Sequence, residues 1–100
     1  MKKILVRYKV KVDRAAENEE FIRKVFEELK QTGPDGLRYA SFKQEDGVSF
    51  VHIASIETEG GENPLAESRA FKAFVADIQD RCEEPPVAVD LFEIGSYRFW

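Results

Sequence analysis

The sequence predicts an α+β sandwich: one four-stranded antiparallel sheet with two helices on one face, in the order βαββαβ. Three observations carry this. Two segments alternate apolar and polar residues with period two, at Lys3–Val12 and across Leu37–Glu57. Two others, after Ala15 and after Asn63, place apolar residues at helical spacing. An Asp46-Gly47 step sits midway between two strand-like runs, the strongest short-range hairpin signal. With 100 residues, the chain has room for a single domain over residues 1–100.

Each element follows from its residues. Ile4, Val6, Tyr8, Val10 and Val12 point one way and Lys3, Leu5, Arg7, Lys9 and Lys11 the other, which is a strand. Asp13 is positioned to cap the helix that follows. From Ala15 to Gln31 the stripe is Phe21, Ile22, Val25, Phe26 and Leu29, closed by Gly33-Pro34-Asp35-Gly36. Strands are expected at Leu37–Glu45 and Val48–Glu57. A two-residue type I′ turn would set Glu45 opposite Val48, Ser41 opposite His52, Tyr39 opposite Ala54 and Leu37 opposite Ile56. The other face then carries Ala40 with Ile53 and Phe42 with Val51.

Asn63-Pro64 opens the second helix as cap and first position. Its stripe is Leu65, Ser68, Phe71, Phe74, Val75, Ile78 and Cys82, and Glu83-Glu84-Pro85-Pro86 is expected to stop it. A last strand is expected from Val87 to about Trp100, with a bulge or bend at Gly95. Two right-handed units of this kind in one sheet make the ferredoxin-like sandwich.

Composition narrows the function classes. Lys and Arg number 15 against 19 Asp and Glu, a formal charge of −4, which argues against a nucleic-acid binder. Basic residues gather from Lys2 to Arg14 and acidic ones from Glu17 to Glu28, the pattern of a solvated strand edge beside a solvated helix face. The RNA-recognition module shares this topology and is tested residue by residue. Its third strand opens basic-Gly-aromatic, whereas this chain has Asp46-Gly47-Val48-Ser49-Phe50-Val51, and Leu5 stands where the first strand would stack a base. No apolar run reaches membrane-spanning length, and the charged start does not read as a secretory signal, so a cytoplasmic protein is expected. A single cysteine, a single histidine and isolated Gly60-Gly61 predict no disulfide, no metal site and no phosphate loop. Cys82, at a helix end whose dipole disfavours thiolate, reads as a structural residue.

Two helices cover one sheet face, yet the strands are apolar on both. Val51 and Ile53 oppose Val48, Phe50, Ala54 and Ile56, and Val87, Val89 and Leu91 oppose Ala88, Phe92 and Ile94. The second face therefore predicts an interface, met most simply by a second copy packing sheet to sheet. The aromatic tail Tyr97-Arg98-Phe99-Trp100 would reach across to that partner.

His52 is the one side chain expected to titrate near neutrality. With Tyr8, Tyr39, Ser41 and Phe50 on the helix-facing side, and Phe71 and Phe74 on the second helix, it outlines a small apolar pocket with a polar tip. One reading makes His52 a general base or a hydrogen-bond donor to a phenol, enol or carbonyl oxygen, with Tyr8 and Tyr39 orienting the ligand. The other makes it a core histidine satisfied by Ser41 or a backbone carbonyl.

The whole chain resembles the dimeric α/β-barrel superfamily, and within it the antibiotic-biosynthesis-monooxygenase-like group. The echoes are Val10-Lys11-Val12-Asp13, Gly36-Leu37-Arg38-Tyr39, Phe50-Val51-His52-Ile53-Ala54-Ser55-Ile56-Glu57 and Phe71-Lys72-Ala73-Phe74. The resemblance implies a homodimer with one pocket per protomer, between helices and sheet. It implies monooxygenase-like chemistry on an aromatic or polyketide-like compound, without a cofactor. Haem-degrading relatives have a ligating histidine near Val75, a tryptophan at Ile56 and an asparagine at Tyr8, so haem chemistry is not expected here. Cofactor-free quinone-forming relatives also rely on such asparagine and tryptophan residues, so their mechanism does not carry over intact. Two alternatives stand beside the enzyme: a non-catalytic dimeric binding or structural module, and an isomerase or lyase with His52 as proton shuttle.

Overall fold

A computed structural model describes residues 1–99. Strand β1 (Lys2–Val10) leads through a 3₁₀ turn at Val12–Arg14 into helix α1 (Ala15–Thr32). The hairpin strands β2 (Leu37–Lys43) and β3 (Ser49–Ile56) follow. A second 3₁₀ turn at Pro64–Glu67 precedes helices α2 (Arg69–Ala76) and α3 (Ile78–Arg81), and the last strand is β4 (Cys82–Leu91). The sheet is antiparallel in the order β2-β3-β1-β4, the ferredoxin-like arrangement. Tyr8, Val10 and Phe50 from the sheet and Val25, Phe74 and Ile78 from the helices make the buried core.

The hairpin keeps the expected register: Ser41 faces His52, Tyr39 faces Ala54, Leu37 faces Ile56, Ala40 faces Ile53 and Phe42 faces Val51. Its turn differs from the type I′ expectation. The strands close at Lys43 and Phe50, and Gln44 N–H bonds to the Ser49 carbonyl at 2.8 Å. Gly47 N–H returns to the Gln44 carbonyl, and the Asp46 carboxylate accepts from the Val48 and Ser49 amides. Widening the loop from two residues to six moves the closing pair by two residues on each strand, so the register is untouched.

Elsewhere the boundaries move for physical reasons. β1 stops at Val10, because the chain turns there and leaves Val12 exposed. Asp13 makes no capping bond; it lies inside the 3₁₀ turn. α1 ends as expected, with left-handed Gly33 donating to the Leu29 carbonyl. The second helix is broken into pieces. Asn63 caps only the 3₁₀ turn, and Ser68 then caps α2 by accepting from Phe71 N–H. Asp77, at φ −120°, interrupts the helix before α3.

The largest correction concerns β4. Cys82 is not the last helical residue but the first of the strand, paired with Val10, and burial pushes its thiol pKa up. Glu83-Glu84-Pro85-Pro86 does not stop a helix; it is part of β4. Proline is tolerated because β4 is an edge strand. Pro85 and Pro86, which have no N–H to donate, both fall between the last regular pairs with β1. The register slips at this point, from Arg7 opposite Val87 to Lys9 opposite Glu84. β4 ends at Leu91, so Gly95 makes no bulge in a strand, and Phe92, Ile94, Tyr97 and Phe99 are exposed. Trp100 lies outside the described residues.

The sheet face away from the helices carries Leu5, Ala40, Phe42, Val51, Ile53, Val87, Val89 and Leu91 by register. Phe42 and Val87 are each 50% exposed and Val89 is 47% exposed. Among the described residues, no helix is long and apolar enough to cross a membrane.

Candidate functional site

The site forms where the helix layer leaves the sheet incompletely covered. A cavity of about 270 Å³ lies between α2–α3 and the sheet. Ile4, Val6 and Ala54 form its apolar floor, and Leu65, Phe71 and Ile78 belong to its helical wall. Tyr8, Tyr39 and His52, joined by hydrogen bonds, form a polar cluster in its lining, and Asn63 is the other polar residue there.

The register explains the cluster. His52 on β3 lies between Val6 on β1 and Ser41 on β2, so its ring stands with Tyr8 on one side and Tyr39 on the other. The Tyr8 hydroxyl is 2.8 Å from His52 Nε2. The Tyr39 and Ser41 hydroxyls are 2.8 and 2.7 Å from Nδ1. Aromatic rings pack around these groups: Tyr8 stacks on Phe50 at 5.5 Å, Tyr39 on Phe26 at 5.2 Å, and Phe74 lies 5.5 Å from the histidine ring.

Burial governs the electrostatics. Loss of water disfavours imidazolium and lowers the His52 pKa from 6.5 to about 4, so the ring is neutral at pH 7. The same cause raises Tyr39 to about 12 and pushes Tyr8 higher still, the latter opposed in part by the Asn18 hydrogen bond. Both phenols are therefore protonated at neutral pH.

The network runs deeper than the sequence reading reached. Asn18 of α1 donates from Nδ2 to the Tyr8 hydroxyl at 2.9 Å. Arg81 of α3 donates from Nε to Asn18 Oδ1 at 3.2 Å and from Nη2 to the Phe74 carbonyl. Both Asn18 and Arg81 are fully buried. The guanidinium lies 4.5 Å from the Phe21 ring centroid, and its Nη1 is the one buried side-chain polar atom without a partner among the described residues. A signal for both existed in the sequence. Asn18 extends the stripe Phe21, Ile22, Val25 by one turn, and Arg81 follows Phe74 and Ile78 at helical spacing.

Of the residues singled out from the sequence, Tyr8, Tyr39, His52, Phe71 and Phe74 line the cavity. Ser41 contacts His52 from a separate groove on the far side, with Phe42 and Lys43. Phe50 stands behind Tyr8 as a buried support, outside the cavity lining. Among the described residues no group of three His, Cys, Asp or Glu side chains is placed to hold a metal ion.

No family model matches the chain, and no curated protein does. Solved structures do. A structure described as an antibiotic biosynthesis monooxygenase superposes with a TM-score of 0.77 at 18% identity, over 95% of this chain and 100% of that one. A protein from Nitrosomonas europaea assigned the same name gives 0.75 at 19% identity, over 93% and 89%. A cofactor-independent oxygenase from Streptomyces nogalater gives 0.70 at 13% identity, over 97% and 96%. At these identities the likeness is one of architecture, and it spans nearly the full length of both partners in each case. The chain thus has the ferredoxin-like α+β fold of the antibiotic-biosynthesis-monooxygenase-like group.

Proposed function

We propose that the protein is a homodimeric α/β-barrel protein that binds one small apolar or aromatic molecule per protomer and acts on it as a monooxygenase-like enzyme without haem. The observation that carries this reading is the cavity itself: a largely apolar pocket whose lining includes the hydrogen-bonded cluster Tyr8, Tyr39 and His52. A flat ring system would fill the apolar part, and its phenol, enol or carbonyl oxygen would meet the tyrosine–histidine cluster. Phe71 and Phe74 would pack against the ring, while Ser41 and Phe50 would support His52 and Tyr8 from behind. The resemblance expects a haem-ligating histidine near Val75, and Val75 at the cavity wall has no ligating atom.

A neutral imidazole with pKa near 4 is a weak base at pH 7. That favours His52 as a hydrogen-bonding and orienting group over His52 as the base that takes a phenol proton. The dimer reading rests on the second sheet face, where half-exposed Phe42, Val87 and Val89 adjoin Leu5 and Ile53. Stacked copies would cover this face, with the exposed Tyr97 and Phe99 at its border.

One observation favours a second reading, a non-catalytic binding module: both ring nitrogens of His52 are already partnered within the chain. A thermal-shift screen of phenols, quinones and polycyclic ketones on wild type and His52→Ala tests the site. A ligand at about one hundred times its Kd should add about 2.7 kcal/mol to wild-type stability, and the substituted protein should lose that response. If no compound stabilises the wild type, or if His52→Ala is merely less stable with every response intact, the site reading fails. Oxygen consumption with the stabilising compounds then separates the enzyme from the module.

A further inference from the structure

The polar network has a direction, and that direction is set at its buried end. Arginine can only donate hydrogen bonds, so the Asn18 atom facing Arg81 Nε must be the carbonyl oxygen. This fixes the amide, and its NH₂ faces the Tyr8 hydroxyl and donates to it. Tyr8 already accepts there, and its oxygen also meets His52 Nε2. If Nε2 carried the ring proton, the Tyr8 oxygen would accept twice and its own proton would have no acceptor among the described residues. With Nε2 bare, the Tyr8 proton goes to His52. The neutral ring then carries its proton on Nδ1, where it is donated to Ser41 and Tyr39. A ring flip cannot reverse this, because both nitrogens sit against hydroxyls and a flip would put carbon atoms there.

The last link reaches the cavity. A protonated Nδ1 offers no lone pair, so Tyr39 accepts at His52; the Ser41 hydroxyl donates to the Tyr39 oxygen as well, which leaves the Tyr39 proton to point away from both. Tyr39 lines the cavity, as Ser41 does not. We propose that Arg81 and Asn18 are positioning residues that hold His52 in its Nδ1–H form through Tyr8, so that Tyr39 presents a hydroxyl proton to the cavity and the site selects ligands with an acceptor oxygen, such as a ketone or quinone carbonyl. The ligand half of this inference rests on the cavity being a ligand site, as proposed above; the tautomer half does not.

His52 is the chain's one histidine, so its ring nitrogens can be read without ambiguity by long-range nitrogen–proton correlation NMR on labelled protein at neutral pH. The wild type should show Nδ1 protonated and Nε2 bare. Asn18→Asp reverses the chain by chemistry alone. A carboxylate accepts from Arg81 and from the Tyr8 hydroxyl, Tyr8 then accepts from His52, and the proton should move to Nε2. A purely structural role for Asn18 would leave the tautomer where it was. The ketone indanone, which can only accept, should bind the wild type about tenfold more tightly than Asn18→Asp, in which Tyr39 donates to His52 instead.

An Nε2–H wild type overturns the proposal outright, and does so even if Asn18→Asp fails to fold. An unchanged tautomer in folded Asn18→Asp removes the role of Asn18. The expected tautomers with equal indanone affinity, or with no indanone binding by either protein, overturn the acceptor-oxygen assignment. Failure of the ligand reading shows in the screen, and failure of the relay shows in the spectrum, so the two are told apart.

Discussion

The Tyr8 hydroxyl and His52 Nε2 lie 2.8 Å apart on neighbouring strands, both buried, and neither carries charge at neutral pH. Folding therefore takes up a histidine that titrates near 6.5 in the unfolded chain and holds it neutral down to about pH 4. In that window the unfolded state binds the extra proton, so stability is full above pH 6.5 and is lost as the pH falls towards 4. The shift corresponds to about 3 kcal/mol. Urea unfolding from pH 7 to pH 4.5, compared with His52→Gln, should show a steeper acid loss in the wild type. Parallel curves would mean that His52 contributes nothing to the pH dependence.

Arg81 and Asn18 form a buried pair in which each leaves the other unsatisfied when removed. Arg81→Met strands Asn18 Oδ1 and the Phe74 carbonyl, and should cost about 2–3 kcal/mol. Asn18→Leu should cost a similar amount. The double substitution removes both halves of the problem and should cost at least about 1 kcal/mol less than the sum. Denaturant titrations of the four proteins complete the cycle, and strict additivity would deny the coupling.

The second sheet face predicts its own test. Val89 lies beside Leu5, on the β4 margin of that face. Val89→Lys should place a charge in the proposed dimer contact and weaken it by about 3 kcal/mol, or on the order of a hundredfold in Kd. Sedimentation equilibrium should find a dimeric wild type and a monomeric variant at micromolar concentration. A monomeric wild type would remove the barrel altogether.

Two turn glycines separate backbone strain from steric crowding. Gly36 and Gly47 share φ +79°. A Cβ on Gly47 meets open space, whereas one on Gly36 would lie 2.7 Å from Thr58 Cγ2 and 3.0 Å from the Thr58 backbone nitrogen. Gly47→Ala should cost about 1 kcal/mol from the left-handed conformation alone. Gly36→Ala should cost about 1–3 kcal/mol more, as the β2 entry shifts away from Thr58. Thermal melts of the two variants give the ordering, and equal losses would place the whole effect in φ.

What the sequence disclosed and what it withheld divides along physical lines. The β2–β3 register was legible because Asp46-Gly47 fixes the centre of the hairpin, and moving the closing pair away from the turn by two residues on each side keeps every partner. That register is what sets Ser41 against His52 and places Tyr39 beside them. Tyr8 was legible as an inward residue of an alternating strand. Asn18 and Arg81 were not, although each stands on an apolar stripe, because a polar residue among Glu17, Glu19 and Glu20, or beside Asp80, reads as solvated surface. Their burial is a tertiary effect, since each is acceptable inside only because the other is there. β4 was misplaced for a different reason. Two consecutive prolines oppose a strand in the middle of a sheet, and only the tertiary order shows that this strand lies at the margin.

Those prolines bear on how the molecule avoids polymerising. A naked sheet margin is a template for endless cross-chain zippering, and fibrils grow by that route. The adjacent imino acids in β4 have no hydrogen to offer an incoming backbone, and the register slip at the same place makes the template irregular. An incoming strand would find that stretch of the margin a poor template.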